Sequence, residues 1–170
     1  MVRVNSLHMP SKSNKFQLLP FVICLFIPLV IGAIGSIFTF ESVKTWYTTI
    51  NKPSFNPPNN IFGPVWTTLY ILMGISSYLI WKKRKVVSGY HWAISIYSLQ
   101  LILNLMWSFL FFYQHQVGFS LVEIGVLLLT IITTAFLFYR IDKTAGLLFI
   151  PYILWVSFAS YLTYSIYILN

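Results

Sequence analysis

The sequence predicts an all-α integral membrane protein, a bundle of five transmembrane helices with one long proline-rich loop between the first and second. Three observations carry this. Of 170 residues, 58% are hydrophobic and only 8% charged, whereas a water-soluble domain carries about a quarter charged residues. The apolar residues fall into five runs, each long enough to cross roughly 30 Å of hydrocarbon. The basic residues lie between those runs and not within them. The runs are continuously apolar, without the alternation of a membrane β-barrel.

A tail, residues 1–15, precedes a single membrane domain, residues 16–170. The spacing predicts spans over 16–39, 64–81, 90–113, 119–139 and 145–169, with a covering loop over 41–63. The first run stays uncharged from Phe16 to Phe40 and shows no small-residue cleavage pattern. It therefore reads as a retained helix and not a cleaved signal. The second span stops at Lys82-Lys83-Arg84-Lys85, and the fourth at Arg140-Ile141-Asp142-Lys143. No internal repeat of the inverted-transporter kind is evident.

The net charge is +8, but it forms no face for nucleic acid; it marks topology. Five spans put Arg3, Lys12, Lys15, Lys82, Lys83, Arg84, Lys85, Arg140 and Lys143 on one side, against Lys44 and Lys52 on the other. The positive-inside rule then places the N-terminus in the cytoplasm and the C-terminus and the covering loop outside. Cys24 is the one cysteine, so neither an intrachain disulfide nor a thiolate metal site is expected.

Aromatic residues make up 19% of the chain, more than interfacial belts require. Much of the excess follows a pattern. Pro53, Pro57, Pro58 and Pro64 stiffen the loop as a non-helical cover. Trp46, Tyr47, Phe55 and Phe62 give it an apolar underside. Pro64 suits the first turn of the second helix, where its missing N–H costs nothing.

Helical spacing picks out three faces. They are Trp66, Leu69, Tyr70, Met73 and Ser77 on the second span; Gln100, Asn104, Trp107, Ser108 and Phe111 on the third; and Trp155, Phe158, Ala159 and Leu162 on the fifth. Gln100 and Asn104 lie deep in an apolar span, so their face points into the bundle, with interhelical bonding as their first expected role. Facing surfaces so rich in rings would suit a flat, apolar polycycle.

These residues resemble the translocator protein family, also called tryptophan-rich sensory proteins or peripheral-type benzodiazepine receptors. The matching elements are Trp46-Tyr47, Lys52 to Pro58, Phe62-Gly63-Pro64-Val65-Trp66-Thr67 with Leu69-Tyr70 and Met73-Gly74. They continue through Leu103 to Ser108 with Phe111-Phe112, and Pro151-Tyr152 with Trp155, Phe158-Ala159 and Leu162. The resemblance implies a five-helix bundle, commonly a homodimer, with a pocket beneath the first loop.

It further implies binding of porphyrins such as protoporphyrin IX and haem, and of isoquinoline-carboxamide and benzodiazepine drugs. Ligand-binding positions are then Trp46, Tyr47, Pro53, Phe55, Trp66, Tyr70, Asn104, Trp107, Phe158 and Ala159. No cofactor is required; the porphyrin is ligand or substrate. Bacterial relatives are reported to degrade protoporphyrin in light, which makes Trp66 and Trp155 the candidate catalytic positions. The animal proteins' cholesterol motif needs a basic residue after its tyrosine, and none follows Tyr161, Tyr164 or Tyr167; this counts against cholesterol recognition. A bacterial inner membrane is the matching location.

Nothing in the sequence forms a conventional catalytic or metal-binding set. His8, His91 and His115 read as structural or solvated. Glu123, the one acid within a span, is expected to reach the interface or cap the fourth helix. Three functions stay open: a porphyrin sensor or transporter, a light-dependent porphyrin-degrading enzyme, and a regulatory scaffold.

Overall fold

The computed structural model describes residues 16–170; the tail 1–15, with Arg3, His8, Lys12 and Lys15, lies outside them. Seven helices follow one another: α1 (Leu18–Lys44), α2 (Trp46–Thr49), α3 (Asn59–Lys82), α4 (Tyr90–Ser108), α5 (Val117–Ile141), α6 (Lys143–Leu147) and α7 (Ile150–Leu169). A π-helical turn, Phe109–Tyr113, extends α4. Five segments are long and apolar enough to span a membrane, with α4 and its π-turn forming one and α6–α7 another. The expected all-α five-helix bundle is borne out.

The boundaries differ from the expected ones where proline and charge do not end a helix. α1 continues past Thr39 to Lys44, since Glu41 and Lys44 are themselves good helix formers. The cover is not wholly non-helical: α2 adds one turn, and α3 begins at Asn59. Pro58 takes the N-cap with ψ 140°, and its carbonyl accepts from the Ile61 amide at 3.0 Å. Pro64 therefore sits in the second turn of α3, not the first. There it removes the donor that would meet the Asn60 carbonyl, and Asn60 is exposed.

The path of α1 decides the architecture. Toward the basic end it presses on α3: a Cβ added at Gly74 would lie 2.7 Å from the Leu25 Cα and 3.1 Å from the Cys24 carbonyl oxygen. That carbonyl also lacks its helical donor, because Pro28 has no N–H. Midway, Gly32 gives room to the Tyr70 ring. Beyond it, α1 leans on α4 instead. Gly35 faces Ser108 and Leu105, and Phe38 meets Phe109 edge-on at 5.4 Å. Ser42 Oγ lies 3.4 Å from His115 Nε2. Small residues thus let α1 cross from α3 to α4, and the two helices part toward the lid end.

At the basic end Lys83 Nζ donates to the Ile141 carbonyl at 3.0 Å and pairs with Asp142 at 2.8 Å. Asp142 in turn caps α6 through the Ala145 amide.

Candidate functional site: an aromatic cavity beneath the lid

Where α1 leaves α3, a cavity of about 870 Å³ opens. Its floor and walls carry Trp66 and Tyr70 from α3, Trp107 from α4, Phe111 and Phe112 from the π-turn, and Trp155, Ala159 and Leu162 from α7. Tyr47 and Thr48 of α2 roof it. The rings are held by one another. Trp66 stacks on Tyr70 at 5.7 Å, and Trp107 stacks on Phe111 at 5.2 Å. Phe62 meets Trp155 edge-on at 5.9 Å. The π-turn matters here because its wider winding shifts which side chains face inward. It brings both Phe111 and Phe112 to the cavity.

Beneath the rings a polar relay ties three helices. Tyr70 Oη donates to Asn104 Oδ1 at 2.7 Å, and Asn104 Nδ2 donates to Tyr152 Oη at 2.9 Å. All three residues are buried. Gln100, one turn further down α4, directs Nε2 at the Met73 sulfur, 3.8 Å away. The Nε1 atoms of Trp107 and Trp155 are buried with no hydrogen-bond partner among the described residues. Both belong to cavity-lining side chains.

The cavity has a lateral mouth between α1 and α3. Ala33, Ser36 and Phe40 on one rim and Asn60, Gly63 and Thr67 on the other all line the cavity and are all exposed. A Cβ at Gly63 would meet nothing within 4 Å. A second, shallower groove of about 550 Å³ runs outside between α3 and α7, and Trp155 forms part of its wall too.

The lid is strapped down at several points. Tyr47 Oη donates to Asn56 Oδ1 at 2.6 Å, and Lys52 Nζ donates to the carbonyls of Tyr47 and Ile50 at 2.6 and 3.0 Å. Trp46 stacks on His115 at 4.3 Å, and His115 itself adopts a left-handed backbone with φ 55°. Phe55 stacks on Tyr161 at 5.2 Å. Asn51 and Asn170 exchange hydrogen bonds, the Asn51 amide donating at 2.9 Å and Asn170 Nδ2 returning one at 3.0 Å.

Burial pushes the Tyr47 phenol up to about 12, with the Asn56 bond pulling the other way. Its folded value thus exceeds that of a free phenol near 10. The lid's share of stability is therefore constant below about pH 10 and lost as pH rises toward 12. Ligand affinity followed alongside tyrosinate absorbance is expected to hold to about pH 10 and then fall together with the titration of this phenol. In Tyr47→Phe that fall should disappear.

Of the residues singled out in the sequence, Tyr47, Trp66, Tyr70, Trp107, Trp155 and Ala159 line the cavity. Five others stand elsewhere. Trp46 packs sideways on His115 and Phe111. Asn104 sits behind the wall, holding Tyr70. Phe55 lies on Tyr161, and Phe158 faces Trp155 and the outer groove. Pro53 accepts the Asn56 amide on its carbonyl and stiffens the lid without lining the cavity.

The expectation for Glu123 is overturned. It is the seventh residue of α5, too far in to cap it, and is 8% exposed, with both carboxyl oxygens unpartnered among the described residues. The missed wall is α1, from Leu29 to Lys44. Its signal in the sequence is the cluster of small residues Gly32, Ala33, Gly35 and Ser36, which marks where a helix can be approached closely.

Five membrane-length helices around an aromatic, lid-covered cavity define a multi-pass membrane protein with a candidate ligand site. A sequence model described as the TspO/MBR family matches residues 24–169. The tryptophan-rich protein TspO of Chlorobaculum tepidum is 42% identical over 161 residues, which cover 92% of this chain and 99% of that protein. The human translocator protein is 34% identical over 139 residues, 79% and 80% of the two chains. The tryptophan-rich sensory protein of Cereibacter sphaeroides is 33% identical over 125 residues, 74% and 77%. The chain belongs to the TspO/MBR family.

Proposed function

We propose that this protein is a membrane receptor or sensor, or a transporter, for porphyrins and related tetrapyrroles. The ligand is held in the aromatic cavity beneath the lid. The observation that carries the reading is the cavity itself: about 870 Å³ walled by three tryptophans from three helices. That volume suits a large organic ligand, and ring faces suit a planar conjugated one.

The relatives' printed names, a sensory protein and translocator proteins, agree with a receptor role. The same site would take isoquinoline-carboxamide and benzodiazepine drugs. The protein sits in the cell membrane as a homodimer, its basic end and N-terminus cytoplasmic.

A second reading, light-dependent degradation of protoporphyrin, is favoured by one feature. Trp66 and Trp155 approach the cavity from different helices, so a bound macrocycle would touch two oxidisable indoles. Titration of protein fluorescence with protoporphyrin IX, followed by illumination of the complex, tests both. Saturable quenching, weakened at least about tenfold by Trp107→Ala, is the result expected for the receptor. Absence of saturable binding by the wild type would falsify it. Conversion to a distinct product, lost in Trp66→Phe or Trp155→Phe with binding retained, identifies the enzyme. Bleaching equal to that of free porphyrin removes the second reading.

A further inference from the structure

We infer that the mouth between α1 and α3 selects acidic amphiphiles, with Lys44 as the residue that receives the ligand's carboxylate. The inference rests on the cavity as ligand site and adds a chemical class to it: an apolar polycyclic body carrying a peripheral acid.

Among the described residues, Lys44 is the one charged side chain in the cavity wall. It ends α1 at the lid-side corner of the mouth, where it is exposed. Among the described residues it makes neither ion pair nor hydrogen bond. Its Nζ lies 3.7 Å from the centre of the Phe40 ring, one turn back on the same helix and also at the rim. Glu41, three residues earlier, is exposed and does not pair with it. The contrast is Lys52, the other lysine at this end, whose Nζ is committed to the Tyr47 and Ile50 carbonyls. One lysine thus builds the lid while the other stands at the opening.

The opposite rim carries Asn59 and Asn60, exposed and likewise free of side-chain hydrogen bonds among the described residues. They add neutral donors facing the same opening. Below them the walls turn apolar, through Gly63 and Trp66 on one side and Ala33 and Gly32 on the other. This order, cation and amides at the headgroup end with rings beneath, matches a molecule whose acid stays at the interface while its body enters the bundle. A methyl ester of the same molecule would gain the ring contacts alone. A half-exposed pair of this kind contributes modestly, and its contribution is screened by salt.

The experiment uses the full chain in nanodiscs of zwitterionic lipid, with two acid–ester pairs as probes. These are protoporphyrin IX with its dimethyl ester, and pyrenebutyrate with its methyl ester. Affinities are read from tryptophan quenching for the wild type and Lys44→Gln. Lys44→Gln is expected to weaken both acids by about three- to tenfold and to leave both esters unchanged, with the wild-type preference for acid shrinking as salt rises. Retained ester binding shows that the variant is folded.

Equal weakening of acid and ester, or none in either, overturns the inference and leaves Lys44 as an anchor for lipid headgroups. If porphyrins fail to bind while pyrenebutyrate keeps its Lys44 dependence, the porphyrin reading falls and the charge selection stands. If porphyrins bind without distinction between acid and ester, the converse holds.

Discussion

Gly74→Val is expected to destabilise the bundle by about 3 kcal/mol, the upper end of the range for overpacking. The reason is what the new side chain meets. Its Cβ would lie 2.7 Å from the Leu25 Cα and 3.1 Å from the Cys24 carbonyl oxygen, so backbone and not a flexible side-chain tip blocks it. α1 and α3 would have to separate where they are closest, and the relief cannot be local. Because that crossing also sets where the helices part, the cavity should change shape with it. Thermal unfolding in detergent, with porphyrin affinity measured below the transition, checks both effects. Gly125→Ala is the control: mid-helix, with nothing within 4 Å of the added Cβ. It should be neutral or stabilising by up to about 1 kcal/mol through helix propensity. Equal loss in both variants would show that Gly74 matters as a flexible residue and not as a contact.

Asn104→Leu should cost about 1–3 kcal/mol and weaken ligand binding at the same time. The change removes the acceptor for Tyr70 and the donor to Tyr152, leaving two hydroxyls in a core where all three residues are buried. An interhelical bond in a membrane protein is worth only about 0.6 kcal/mol on average. Most of the cost is therefore the stranded hydroxyls and not the lost bonds. That makes a sharp expectation for a variant lacking all three groups. Tyr70→Phe with Asn104→Leu and Tyr152→Phe should recover much of the stability lost in Asn104→Leu alone. Binding suffers because Trp66 is stacked on Tyr70, whose ring position the relay fixes. A triple variant less stable than the single one would mean that Asn104 acts by shape.

The faces on α3, α4 and α7 were legible because helical spacing survives tertiary packing: Trp66 with Tyr70, Trp107 with Phe111, and Trp155 with Ala159 do share a cavity. Spacing places residues on one side of a helix, however, and cannot say which neighbour that side meets. Phe158, beside Ala159 in sequence, turns to the outer groove. Asn104 lies one turn from Trp107 yet sits behind the wall. Trp46 and Tyr47 are adjacent, and one packs on His115 while the other roofs the cavity. Glu123 read as an interfacial cap because it stands near a helix start, but α5 begins at Val117 and carries it inside.

The sequence alone determined the five spans, because a bilayer makes span length and charge placement close to obligatory. It also determined the stiff aromatic loop, because proline constrains the backbone wherever it stands. Only the tertiary structure decided that there is a cavity and where it opens. That depends on α1 leaving α3 for α4, which follows from backbone contacts at Gly74, Gly32 and Gly35. Such contacts are made by residues without side chains, and a pattern of side chains does not record them.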